Sequence, residues 1–195
     1  LYPPKSRGWF LEFLTAPDPE NEHPQQWLRV ELKGGHAGLA SFRYLSLTDF
    51  EPLPTKYGIK YAQPATMALA NLLSHKMIGP EVMSAKIGGR EIKRSNKDLG
   101  RVLALARLGD EELYEWPQTW INALRSRFPT QFDNLAPTVG DGLRALLASE
   151  NDLEQAVHTC NNGLLVEHPV TPRQLKLTGS RFMQDVIGTF AQLAS

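Results

Sequence analysis

Of the 195 residues only one is a cysteine, Cys160. That count excludes an internal disulfide and any metal site built from several thiolates. It also makes a reducing, cytoplasmic setting the expectation. Net charge is missing as well: 21 Lys and Arg balance 21 Asp and Glu. The chain therefore has no global electrostatic drive toward nucleic acid or membrane, and any basic site has to be local. No apolar run approaches the ~20 residues that span a bilayer, so no membrane partner is expected. No signal-peptide pattern is visible. Familiar catalytic signatures are absent too. There is no Gly-x-Ser-x-Gly elbow, no Walker phosphate loop and no Gly-x-Gly-x-x-Gly turn. The five histidines (His23, His36, His75, His158 and His168) form neither a His-Glu-x-x-His nor a His-x-His arrangement.

What remains is an ordinary globular composition, 42% hydrophobic and 22% charged. The length suffices for one sizeable domain or two small ones with an unstapled core. The chain opens LYPPKSRGWF, without an initiator Met, and runs almost at once into an apolar segment. A fragment or a processed product is the expectation.

The first part reads as strands. Trp9–Leu14 is aromatic and apolar apart from Glu12, and Leu28–Leu32 alternates apolar and polar residues. The Lys33-Gly34-Gly35 turn signal follows. Phe42–Leu45 and Lys56–Tyr61 are shorter candidates, and a proline-rich loop occupies 16–24. From Pro64 the period becomes helical, with Met67, Leu69, Leu72, Leu73 and Met77 on one broad face, until Gly79-Pro80. Residues 81–94 carry a Gly88-Gly89 turn. The next helix opens in KRSNKDLGRVL, where Ser95 and Asp98 fit a capping box and Leu99, Val102, Leu103 and Ala106 form the apolar stripe. Pro117 opens a helix bearing Trp120, Ile121, Leu124 and Phe128, and Pro129 ends it. A loop is expected over 130–138 and helices over 139–149, 151–161 and 179–193. The fold class is α+β: a small, mostly antiparallel N-terminal sheet over 1–62, then a helical bundle over 63–195.

Chemistry has few places to reside. Glu12 lies between Leu11 and Phe13 and points to the opposite sheet face from both. It is either a solvated strand residue or a metal ligand at a sheet edge. A hard cation such as Mg²⁺ would need further oxygen ligands, and no Asp-x-Asp pair follows a Gly-Ser turn anywhere in the chain. The helix start gathers Arg90, Lys93, Arg94 and Lys97 where free N–H groups and the helix dipole favour anions. Asp98 competes for those N–H groups, so a capped surface helix and a phosphate site are both open readings. Lys76 follows the preceding apolar face toward the same part of the chain. Cys160 falls in a helical pattern and reads as packed, and Trp116 and Trp120 read as core at helical spacing.

The order of these segments, WFLEFLTAP, then LSLTDFEPLP, then KYGIKYAQPATMALANLL and KRSNKDLGRVLALARL, resembles the later part of bacterial nucleotidyltransferase-fold proteins of the AbiEii toxin kind. The similarity covers roughly residues 8–128. Such proteins serve abortive-infection and toxin–antitoxin systems. The resemblance implies a nucleoside triphosphate substrate, Mg²⁺, an RNA or protein acceptor of the nucleotide and an antitoxin-like protein partner. It gives Glu12 the place of a third metal-holding carboxylate, where Asp is usual. The family's Lys-Asp pair opening a helix matches Lys97-Asp98, with Lys93 and Arg94 just before it. The family's mid-helix Lys aligns with Asn71 when ungapped and with Lys76 after a shift. The family's Gly-Ser turn and acidic pair are not in this chain. The resemblance therefore implies that these 195 residues alone do not transfer nucleotides. The alternative is a non-catalytic module that recognises a protein or nucleic-acid partner.

Overall fold

The computed structural model describes residues 14–15, 25–78, 81–109 and 112–195. Three strands form a small sheet in the order β1-β3-β2. β2 (Gln25–Leu32) and β3 (Gly35–Phe42) make an antiparallel hairpin, and β1 (Leu14–Thr15) runs parallel to β3. The hairpin turns through Lys33-Gly34, so Leu32 faces Gly35, whose φ of 146° only glycine adopts readily. Glu12 lies outside the described residues.

Sequence and structure part company after Phe42. The candidate strand Phe42–Leu45 ends at once, and a helical turn, α1 (Leu45–Thr48), takes over. The cause is burial. Tyr44 and Leu47 are three residues apart and both enter the core, which a strand would send to opposite faces. The Tyr44 ring sits 5.6 Å from that of Phe128. A second, two-stranded hairpin follows, β4 (Leu53–Pro54) with β5 (Lys60–Tyr61).

Helices make up the rest. α2 (Pro64–Ile78) begins at its proline and buries Ala65, Ala68, Leu69, Leu72 and Leu73. α3 (Arg94–Leu108) buries the expected Leu99, Val102, Leu103 and Ala106 and lies at the centre, against α2, α6, α7 and α8. α4 (Trp116–Arg127) carries Pro117 in its first turn, as its pattern predicts. Trp116 and Trp120 are both core: each packs edge-on against Phe182, and Trp120 also against Phe190. The Trp120 indole N–H donates to the Ala65 carbonyl at 2.8 Å, so its one polar atom is satisfied inside the core.

The expected loop at 130–138 is instead a chain of short turns, a 3₁₀ turn at Pro129–Gln131, α5 (Phe132–Leu135) and a 3₁₀ turn at Ala136–Thr138. Phe132, Leu135, Ala136 and Val139 repeat at helical spacing and all reach the core. Then come α6 (Asp141–Ala148) and α7 (Glu150–Asn161). The last helical stretch starts earlier than expected. α8 (Pro172–Phe182) opens on a capping box in which Thr171 and Gln174 each bond the other's backbone N–H. It passes through a wider π-type turn at Met183–Ile187 into α9 (Gly188–Ala194). One hydrophobic cluster runs from Tyr44 to Phe190, so the fold is α+β with a small, mostly antiparallel sheet and a helical remainder. No helix among the described residues is long and apolar enough to cross a membrane.

Candidate functional site

The expected capping box at the start of α3 does not form. Lys93 is the capping position, and no side chain of its own segment bonds the free N–H groups. α7 supplies the cap across the bundle. Gln155 Oε1 accepts the Lys93 backbone N–H at 2.9 Å and Asn96 Nδ2 at 3.1 Å. Asn96 Nδ2 also donates to Asp152 Oδ1 at 2.8 Å, and Lys93 Nζ reaches the same oxygen at 2.8 Å. Asp152 is held in the first turn of α7 by Ser149, whose hydroxyl accepts its N–H. Burial by itself would raise the Asp152 carboxyl. Hydrogen bonds from Lys93, Asn96 and Ser149, with the Lys93 charge, outweigh it and hold the group below its ordinary range.

The cations around the start of α3, Arg90 and those of KRSNKDLGR, thus divide into two sets. In the first, Lys93 serves the seam with α7, Arg94 lies 4.0 Å from Glu81, and Arg90 lies 3.5 Å from Glu154. The second set surrounds Asp98. That carboxylate is buried, with its side chain 6% exposed, and one oxygen takes both Lys97 Nζ at 3.2 Å and Arg101 Nη1 at 3.8 Å. Two cations share one carboxylate, so the group keeps a net positive charge.

Lys97 and Arg101 line a cleft of about 390 Å³ between α3 and the end of α7. Thr159, Asn162 and Ile87 contribute to its walls. Two of the terminal carbonyls of α7, those of His158 and Cys160, are already engaged. The backbone and side-chain N–H groups of Asn162 donate to His158, and the backbone N–H groups of Gly163 and Leu165 donate to Cys160. The segment before α3 closes down over α7 through His158 Nε2, 2.7 Å from the Ile87 carbonyl oxygen. It turns there at Gly88 and Gly89, both with positive φ, and a Cβ on Gly88 would collide with Asn162.

Cys160 also borders the cleft, yet it is no nucleophile. Its thiol donates to the Gly100 carbonyl at 3.1 Å, and burial pushes it up to about 12. A thiol so raised carries almost no thiolate near neutrality.

Of the residues singled out in the sequence, Lys93, Arg94 and Lys97 are brought together by α3, in the two roles just described. Lys76 falls in the last turn of α2, and its side chain lies outside the described residues, as does Glu12 entirely. Among the described residues, no group of three or more His, Cys, Asp and Glu side chains could hold a metal ion.

Two features escaped the sequence reading. Arg101 was legible, since it stands three residues after Asp98 and four after Lys97, on one helical face. A larger cavity of about 840 Å³ was not. Arg107 and Tyr114 line it together with Leu165, His168, Arg181 and Phe182, which lie about 50 residues or more further along the chain. Comparison with protein-family models, with curated proteins and with solved structures found no match for the chain.

Proposed function

We propose that the chain is a nucleotidyltransferase-like protein whose cleft between α3 and α7 takes the phosphate-bearing part of a nucleotide. The observation that carries this reading is the pair Lys97 and Arg101 at the cleft wall, 3.2 Å and 3.8 Å from the buried Asp98. One buried carboxylate beside two cations cancels only one of their charges. A guanidinium and an ammonium suit phosphate oxygens, the first through its planar fork and the second as a point charge. The Lys97-Asp98 pair also matches the Lys-Asp pair that opens a helix in the family the sequence resembles. Transfer of the nucleotide to RNA or protein belongs to the same proposal. It depends on Mg²⁺ and on the acidic pair that this chain does not contain. No catalytic step is assigned to the described residues, and no cytoplasmic toxin or antitoxin-type pairing is needed for the binding claim.

The test is calorimetric titration with a nucleoside triphosphate and with the bare nucleoside. Binding should depend on the phosphates and fall at least about tenfold in Arg101→Ala, with partial recovery in Arg101→Lys. Equal binding of nucleoside and triphosphate, or an unaffected Arg101→Ala, would overturn the reading.

A second reading, a non-catalytic interaction module, is favoured by one observation. Lys93, the cation nearest the helix start, pairs with Asp152 at the partly exposed seam between α3 and α7, which is structural work. A chain that ignores nucleotides but keeps this seam intact would support it.

A further inference from the structure

The hairpin that joins β4 to β5 does not need the residues it displays. Its turn is complete in polar terms. The Thr55 backbone N–H donates to the Ile59 carbonyl at 2.8 Å and the Thr55 hydroxyl donates to the same oxygen at 2.7 Å. The Gly58 N–H closes on the Thr55 carbonyl at 3.2 Å, and Gly58 has a φ of 74° that suits glycine. Such a tip is ordinarily finished with small polar residues. This one carries Tyr57 at 76% exposure, Ile59 at 67% and Tyr61 at 52%.

Two lysines alternate with the aromatic rings, in the order Lys56, Tyr57, Ile59, Lys60, Tyr61. The Lys56 ammonium stands 5.0 Å from the centre of the Tyr57 ring, and Lys60 is exposed. No Asp or Glu occurs between Pro52 and Pro64, so this segment is locally basic on a chain that is neutral as a whole. Exposed aromatic rings interleaved with cations match one ligand chemistry closely, a flexible polyanion whose repeating units have open π-faces. Rings stack on bases without regard to sequence, and ammonium groups follow the phosphates.

We propose that the Lys56–Tyr61 hairpin is a docking surface for single-stranded nucleic acid, with bases stacked on Tyr57 and Tyr61 and phosphates met by Lys56 and Lys60. The claim rests on the hairpin alone and stands apart from the nucleotide cleft. The turn's own hydrogen bonds fix the backbone before any ligand arrives, so little ordering is left to the binding event.

The experiment is fluorescence anisotropy of a labelled oligouridylate with the full chain, repeated with the complementary duplex and with anionic phosphatidylserine vesicles. Single strand should bind in preference to duplex, with affinity falling as salt rises. The double variant Tyr57→Ala/Tyr61→Ala should lose at least about tenfold, whereas Tyr57→Phe/Tyr61→Phe keeps binding because the rings remain. Lys56→Ala/Lys60→Ala should weaken binding and flatten its salt dependence. These side chains are exposed, and the circular dichroism spectrum of each variant verifies its fold. Absent oligouridylate binding overturns the proposal. So does an unaffected tyrosine double variant, a duplex bound as well as the single strand, or a preference for vesicles. Titration of the same tyrosine variants with nucleoside triphosphate separates this surface from the cleft, which they should leave unchanged.

Discussion

Gly100 of α3 and Ala156 of α7 meet so closely that a Cβ on Gly100 would stand 3.0 Å from the Ala156 carbonyl oxygen and 3.2 Å from its Cα. Thr159 Cβ would be 3.2 Å away. The obstacles are mostly backbone, which cannot rotate aside. A side chain here would push the two helices apart by a few tenths of an ångström, and their close contact brings the Cys160 thiol onto the Gly100 carbonyl. Gly100→Ala should therefore destabilise the chain despite its better helix propensity. Overpacking of this kind costs roughly 1–3 kcal/mol, against a propensity gain of about 1 kcal/mol. Gly34, with nothing within 4 Å of the added carbon, is the control, and Gly34→Ala should change stability by less than about 1 kcal/mol. Urea unfolding of both variants makes the comparison. A Gly100→Ala midpoint at or above that of the parent would show that α3 and α7 are less tightly apposed.

Asp152 links stability to acid. Its carboxyl titrates below its ordinary value of 3.8 in the folded chain, so the unfolded chain binds a proton first as pH falls. The stabilisation is therefore complete well above 3.8. It declines as pH falls through that value and is gone below the depressed folded value. Asp152→Asn should reduce stability at neutral pH by about 1 kcal/mol, a modest figure because Lys93 and Asp152 are both partly exposed and screened. The variant and the parent should converge in strongly acidic solution. Denaturant melts across that range measure it, and a constant gap between the two at every pH would rule the linkage out.

How much of this was legible depends on whether the deciding partner lay near in sequence. The face of α3 and the placing of Pro117 in the first turn of α4 follow from spacing within one segment, and they fold as that spacing dictates. On α2 the expected Leu69, Leu72 and Leu73 are buried, but Met67 of the same expected face is exposed, and Ala65 and Ala68 are buried instead. The turns from Phe132 to Val139 had the same helical spacing, but Pro129 and Pro137 disguised it as a loop. The start of α3 was misjudged for a different reason. Ser95 and Asp98 have the right offset for a local capping box, yet Gln155 and Asp152 occupy the terminus from across the bundle. Nothing in KRSNKDLGRVL announces a partner more than 50 residues away. The same remoteness hid the cavity between Arg107 and Arg181. The Asp98 cluster, by contrast, is local to one helix, so Arg101 was legible from its spacing, but the capping-box reading of Asp98 drew attention away from it.

Cys160 reports on the contact between α3 and α7 without any mutation. Its thiol is buried, neutral near pH 7 and bonded to Gly100, so it should resist iodoacetamide in the folded chain. Modification should proceed at the rate at which the local structure opens, and fully in denaturant. Gly100→Ala, by wedging the helices apart, should accelerate it. Mass spectrometry of timed labelling reads the rate. Prompt modification of the native parent would mean that the thiol is open to solvent.

Lys93 caps α3 and Arg101 stands within it, and the two should respond oppositely to substitution. Lys93 spends its charge on Asp152 at the seam with α7, whereas Arg101 is half exposed at the cleft wall and only 3.8 Å from a carboxylate that Lys97 already holds. Lys93→Met removes the ammonium that stabilises Asp152 but keeps an apolar stem. It should lower stability by ~1 kcal/mol and leave nucleotide affinity within about twofold. Arg101→Ala should do the reverse, moving the melting midpoint little while weakening triphosphate binding. Each variant controls for the other, because general unfolding would reduce both quantities together. The paired measurement is thermal melting and calorimetric titration on the same samples. If Lys93→Met loses nucleotide binding while Arg101→Ala keeps it, the two cations have been assigned the wrong way round. The phosphate would then belong at the helix terminus that Gln155 and Asp152 occupy.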